Sequence, residues 1–201
     1  MKRAFCGFLA LVALLLLGGC GDKDIRTPES KVLLSSPELR EKARNLPHRF
    51  EDKNLRYEVR YADNWGDATV DDGDLILYRL DDEGEKYGPV VLVSISDYDS
   101  LLFTSAASFG KEVKKSLQAE HGFKAVKLLT SESVSWYSSK AIHLEYTAIQ
   151  DDDPLKYFEQ MYINDDKNKK SVILVFTCQV DECDAARDEA MLIFHSFRFI
   201  R

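Results

Sequence analysis

The run Val90-Val91-Leu92-Val93-Ser94-Ile95-Ser96 decides the fold. Four consecutive apolar residues followed by an alternating tail read as a β-strand. A strand with water on one side alternates strictly, whereas one that is apolar at every position is covered on both faces. The chain must therefore supply a layer above and a layer below a sheet in which this strand is central.

Working outward, Leu75 to Leu80 reads as the preceding strand, joined to the first by the acidic loop Asp81-Asp82-Glu83-Gly84-Glu85. Further upstream, Leu55-Arg56-Tyr57-Glu58-Val59-Arg60-Tyr61 alternates apolar with charged, as a strand with one buried face does, and Asp63-Asn64-Trp65-Gly66 turns the chain. Downstream, Thr104 or Ser105 caps a helix with Ala106, Phe109, Val113 and Leu117 on one side and mostly charged residues opposite, and Gly122 suits its left-handed stop. Strands follow at Phe123 to Leu129, Glu132 to Tyr137, Ala141 to Ile149, Tyr157 to Ile163 and Val172 to Val180, the last two flanking a hairpin loop over 164–170. A final helix from Cys183 to Ser196 buries Ala186, Ala190, Ile193 and Phe194, and Phe197 and Phe199 alternate into a short tail strand. The connections are too short for repeated parallel crossovers. The expected class is α+β, a largely antiparallel sheet flanked by helices.

The amino-terminal stretch has a different character. Lys2 and Arg3 precede the apolar run Phe8 to Leu17, which ends in Leu17-Gly18-Gly19-Cys20. This is an export-signal pattern, and the run falls short of the roughly 20 residues that span a bilayer. An ordinary cleaved signal or a short anchor would share those features, but a bulky aliphatic, two glycines and a cysteine resemble the bacterial lipobox. That resemblance implies a signal over 1–19, lipid on the Cys20 sulfur and a tether over 20–36. Gly21 and Asp22 follow, and the resemblance to enterobacterial lipoproteins, in which an Asp directly after the cysteine retains the protein in the inner membrane, implies the outer membrane here, with the body facing the periplasm. Ser36 caps and Pro37 opens a short helix, so 37–54 reads as a helix and linker and 55–201 as the body.

Charge excludes some partners. The chain has 27 basic and 34 acidic residues, a net charge of −7 that becomes −9 when Lys2 and Arg3 leave with the signal. An acidic surface repels phosphates, so nucleic acid and direct contact with anionic headgroups are both disfavoured. Of four cysteines, only Cys178 and Cys183 belong to the body. They are candidates for a disulfide; the alternatives are two free thiols or, more weakly, a metal site.

Catalytic signatures are absent from the sequence. His48, His121, His143 and His195 are scattered, with no pair at ligand spacing, although His143 shares a strand face with Glu145. Acidic clusters at Asp71, Asp72 and Asp74, at 81–85 and at 151–153 lack the ligand pattern of a calcium loop and read as solvated turns, or as an acidic rim if they gather at one end of the sheet. No metal site and no cofactor is expected. Trp65, Trp136 and Tyr137, near strand ends, are candidate groove-lining residues against the plainer reading as core.

The order Tyr57-x-Val59-x-Tyr61-x-x-x-Trp65, Ser105-Ala106-x-x-Phe109, Ala141-x-x-x-Glu145-Tyr146, Glu159-Gln160-x-Tyr162, Phe176-Thr177 and Ser196-Phe197-Arg198-Phe199 resembles the PsbP-like and DcrB-like lipoproteins. The resemblance implies an α/β/α sandwich and an accessory or assembly role at membranes. The expected function is thus a lipid-anchored, non-enzymatic envelope domain that binds another envelope protein; the alternative is a lipoprotein that binds a small molecule or a divalent cation.

Overall fold

The computed structural model describes residues 36–69, 74–98, 105–137, 139–150 and 153–200. The signal, Cys20, the tether before Ser36, and the acidic residues 71, 72, 151 and 152 lie outside the described residues.

Helix α1 (Pro37–Arg44) leads into β1 (His48–Asp52), β2 (Tyr57–Tyr61), β3 (Trp65–Thr69), β4 (Leu75–Leu80) and β5 (Lys86–Asp97). After α2 (Ala106–Glu120) come β6 (Phe123–Trp136), β7 (Ser139–Gln150), β8 (Lys156–Asp165) and β9 (Lys170–Gln179), then α3 (Cys183–Ser196) and β10 (Arg198–Phe199). The expected caps hold α1 and α2: Ser36 Oγ accepts from the Leu39 amide and Ser105 Oγ from the Ser108 amide. Gly122 takes the left-handed conformation after α2, at φ +70°. The end of α3 nearest β9 has no side-chain cap, but the disulfide Cys178–Cys183 ties its first residue to β9 with the Cα atoms 5.4 Å apart.

Among the described residues the strands form two sheets. Seven lie in the order β3-β4-β5-β9-β8-β7-β6, every neighbouring pair antiparallel, and β1-β2-β10 make a smaller antiparallel sheet. The run at 90–93 sits inside the large sheet as its pattern requires. Val91 and Val93 pack into one core cluster with α3 and the small sheet, while Val90 and Leu92 pack into the other with α2. Helix α1 lies on α3 and sets the Arg40 guanidinium 4.0 Å from the centre of the Tyr137 ring, so it is part of the body.

Several elements differ from the sequence reading. His48–Asp52, in the stretch read as linker, is a strand. Its polar sequence hides this, and pairing with β2 (Phe50 opposite Val59, Glu51 opposite Glu58) reveals it. Arg56, at φ +58°, belongs to the turn, so β2 begins at Tyr57. Trp65 and Gly66 open β3 rather than ending a turn. The two strands expected between 123 and 137 are one, β6, whose register against β7 shifts twice, between Lys124 and Lys127 and between Leu128 and Thr130. Each shift moves side chains to the other face and makes one strand's periodicity look like two. The β4–β5 loop with Asp81 and the β7–β8 connection with Asp153 leave the same end of the large sheet, whereas Asp74 precedes β4 at the opposite end, so two of the three acidic clusters share an end and the third does not join them.

Candidate functional site

The concentration of titratable side chains lies under α3. Odd-numbered positions of β7 and β8 point to that face, and the register sets Glu145 directly opposite Glu159 and His143 opposite Glu132 on β6. Two carboxylates facing each other across a ladder repel unless cations lie between them. Here two do. Arg187, from α3, donates through Nε to Glu159 Oε2 at 2.7 Å and through an Nη to Glu145 Oε1 at 3.2 Å. His143 Nε2 stands 3.1 Å from Glu159 Oε1 and 3.4 Å from Glu145 Oε1, and its Nδ1 stands 3.3 Å from Glu132 Oε1. Tyr157 donates its hydroxyl to Glu159 and Thr130 donates to Glu145.

His143 is 0% exposed and Glu159 1%. Burial alone would drive the imidazole towards neutrality, but the hydrogen bond to Glu159 and the charges of Glu159 and Glu145 outweigh it and raise the His143 pKa. Burial pushes the Glu159 carboxyl up, and hydrogen bonds from His143 and Arg187 bring it below its ordinary value. The two basic side chains thus satisfy two buried carboxylates, with Glu132 at the rim of the cluster. The ligand atoms of His143, Glu145 and Glu159 all lie within 4.8 Å of one another, close enough to share a metal ion. Arg187 already donates to both carboxylates, and a metal would need an unprotonated imidazole. The arrangement is suited to locking α3 onto β7 and β8.

The three aromatic candidates separate. Trp136 and Tyr137 meet around His195: the Trp136 and His195 rings stack at 4.6 Å and Tyr137 Oη lies 2.6 Å from His195 Nδ1. Trp65 sits elsewhere, its indole N–H donating to Glu189 on α3 at 3.2 Å. Trp65 and Trp136 are 2% and 5% exposed, and both side chains pack into the core. Tyr137, half-buried, lies under Arg40.

Two surface features escaped the linear reading. On the outer face of the small sheet, Glu58 is 1% exposed because guanidiniums cover it: Arg49 donates from Nε at 2.7 Å and Arg198 from Nε at 2.6 Å. Burial pushes this carboxyl up, but hydrogen bonds and charge from Arg198 and Arg49 hold it below its ordinary value. Beside it, a cleft of about 450 Å³ opens between the β1–β2 turn, the tail and the β8–β9 turn, with Leu55, Phe199 and Ile200 as its apolar walls and Arg56, Lys167 and Asn168 among its polar ones. Both are assembled from segments more than 100 residues apart in the chain.

No protein-family model and no curated protein sequence matches the chain. Solved structures do match. Cyanobacterial PsbP (CyanoP) from Synechocystis sp. PCC 6803 superposes with a TM-score of 0.59 at 18% identity, covering 91% of this chain and 98% of that one. The fold is PsbP-like. The Ran-binding protein Mog1p of Saccharomyces cerevisiae has the same arrangement, with a TM-score of 0.53 at 11% identity over 76% of this chain and 95% of its own. LpqN of Mycobacterium tuberculosis, a protein involved in cell envelope biogenesis, gives 0.50 at 12% identity over 72% and 83%. At these identities the PsbP-like likeness is one of architecture. Among the described residues no helix is long and apolar enough to cross a membrane.

Proposed function

We propose that the protein is a lipid-anchored, non-enzymatic accessory domain of the bacterial cell envelope, held at the outer membrane by Cys20, that binds another envelope component. One observation carries the non-enzymatic part. The histidine–carboxylate cluster, where proton transfer would be sought, is sealed under α3 and satisfied internally, with both imidazole nitrogens facing carboxylates. A general base needs a free lone pair within reach of a substrate proton. What faces solvent is suited to recognition: the half-apolar cleft beside the tail and the arginine-rich face of the small sheet. The lipobox supports the anchor, and the involvement of LpqN in envelope biogenesis agrees with the setting.

The test is mass spectrometry of the protein purified from membranes, with and without Cys20→Ser, followed by crosslinking of the same membranes. A lipid-sized mass on the Cys20 peptide and a reproducible partner captured only from the wild type are expected. An unlipidated mature chain would remove the anchor. Repeated crosslinking without a partner would count against the binding role.

A further inference from the structure

The net charge hides an uneven distribution. Residues 37–60 carry seven lysines and arginines against five acids, whereas residues 61–201 carry fifteen against twenty-six. The fold gathers arginines of the first segment with one from the tail. Arg49 and Arg60 are direct cross-strand neighbours on β1 and β2, Arg198 on β10 stands opposite Glu58, and Arg40 and Arg44 on α1 border the same shallow depression. Glu58 lies beneath them as an organising anion. It engages Arg49 and Arg198 through Nε, and Arg60 approaches it at 3.9 Å. Arg49, which also pairs with Glu51 at 2.6 Å, and Arg198 keep side chains 43% and 48% exposed, so both remain part of the solvent-facing surface. A planar guanidinium fork held in place is the side chain best matched to phosphate.

We propose that this face lies on the phosphate groups of anionic lipids in the membrane that carries the protein's own anchor, and so orients the body. The inference rests on the anchored reading above. Its commitment to a membrane comes from where the chain enters: the proposed tether, 20–36, delivers the body through α1, the helix that bears Arg40 and Arg44. The face is a sheet surface with only a shallow depression, a shape suited to a plane. The expectation that an acidic body avoids headgroups holds for its average charge and fails at this face.

The experiment uses the full-length Cys20→Ser chain, which cannot be lipidated, floated with phosphatidylcholine vesicles and with vesicles containing phosphatidylglycerol. Attachment through the apolar leader would appear on both, with Lys2 and Arg3 biasing every variant alike towards the anionic vesicles, so the readout is how that preference changes between variants. A clear preference, abolished at 0.5 M salt, is expected. Arg40→Gln with Arg44→Gln, which leaves Glu58 its partners, should reduce that preference about thirty-fold, each cation near an anionic surface being worth about fivefold. Lys111→Gln with Lys114→Gln on the exposed side of α2 removes the same charge and should leave it unchanged. Equal flotation with both vesicle types would overturn the proposal, as would equal losses in the two variants, which would make net charge alone responsible. Capture of an acidic envelope protein on this face without vesicle preference would assign the face to a protein instead. A lipidated wild type whose Cys20→Ser form ignores phosphatidylglycerol would keep the anchor and sink the orientation; the reverse pair of results would sink the anchor alone.

Discussion

Arg187 reaches from α3 to two carboxylates that would otherwise confront each other across β7 and β8. Removing one partner of a buried ion pair typically costs about 3–5 kcal/mol, because the other is left buried and unpaired. Arg187→Met should therefore lower unfolding stability by that amount in urea titrations. The same cluster sets a pH dependence. His143 has a raised folded pKa, so its contribution is full below the ordinary value of 6.5 and fades as pH rises through the folded value. Glu159 has a lowered folded pKa, so its contribution is full above 4.5 and fades as pH falls through the folded value. Together they favour the window between about pH 4.5 and 6.5. Melting temperatures measured from pH 5 to 9 should decline above 6.5 in the wild type, and His143→Gln should flatten that limb. The sequence showed that His143 and Glu145 share a strand face. It did not show their burial or Arg187, because Glu159 and Arg187 enter from residues 16 and 44 positions beyond His143 and meet it only through pairing and helix placement.

At the scale of elements, the disulfide substitutes for a helix cap. Closing so small a loop is worth roughly 2 kcal/mol in the chain-entropy model. Cys178→Ser with Cys183→Ser should show that loss, and reduction of the wild type should reproduce it. Helix α2 approaches β6 so closely that a Cβ on Gly110 would stand 2.7 Å from Ser131 Oγ and 3.0 Å from Leu128 Cδ2. Gly110→Ala should cost about 1–3 kcal/mol through overpacking despite the better helix propensity of alanine, as chemical denaturation would show. Both longer helices were legible because Ala106, Phe109, Val113 and Leu117, and Ala186, Ala190, Ile193 and Phe194, mark a period close to 3.6. Strands β1 and β3 were not. His48–Asp52 and Trp65–Thr69 are five residues each and rich in polar side chains or glycine, and they are strands by virtue of their neighbours.

At the scale of the whole molecule, the described residues form a seven-stranded sheet covered on one face by α2 and on the other by α3 and the small sheet, with α1 packed on α3 and β2. Its central polar cluster has Arg187 already donating to both buried carboxylates. A ligand selective for the native state must raise the melting temperature. Titration of the wild type with millimolar Ca²⁺ or micromolar Zn²⁺ is accordingly expected to leave the melting temperature unchanged. A rise of several degrees that disappears in Glu145→Gln would instead show a cation entering the cluster. The antiparallel order of the large sheet follows from short connections, a property of the sequence. The small sheet follows from joining residues 48–61 to 198–199, which no local pattern records.

That junction has a consequence in time. Arg198 contacts Glu58 across 140 positions of the chain. A chain made from its amino end delivers Glu58 well before Arg198. Until it arrives, β2 lacks one of its two ladder neighbours and Glu58 one of its close cations, so the flank beside α1 stays open. Closing a connection of that length is a slow, late step. Completion of the small sheet thereby waits on the segment that brings β10, by the order in which the residues emerge.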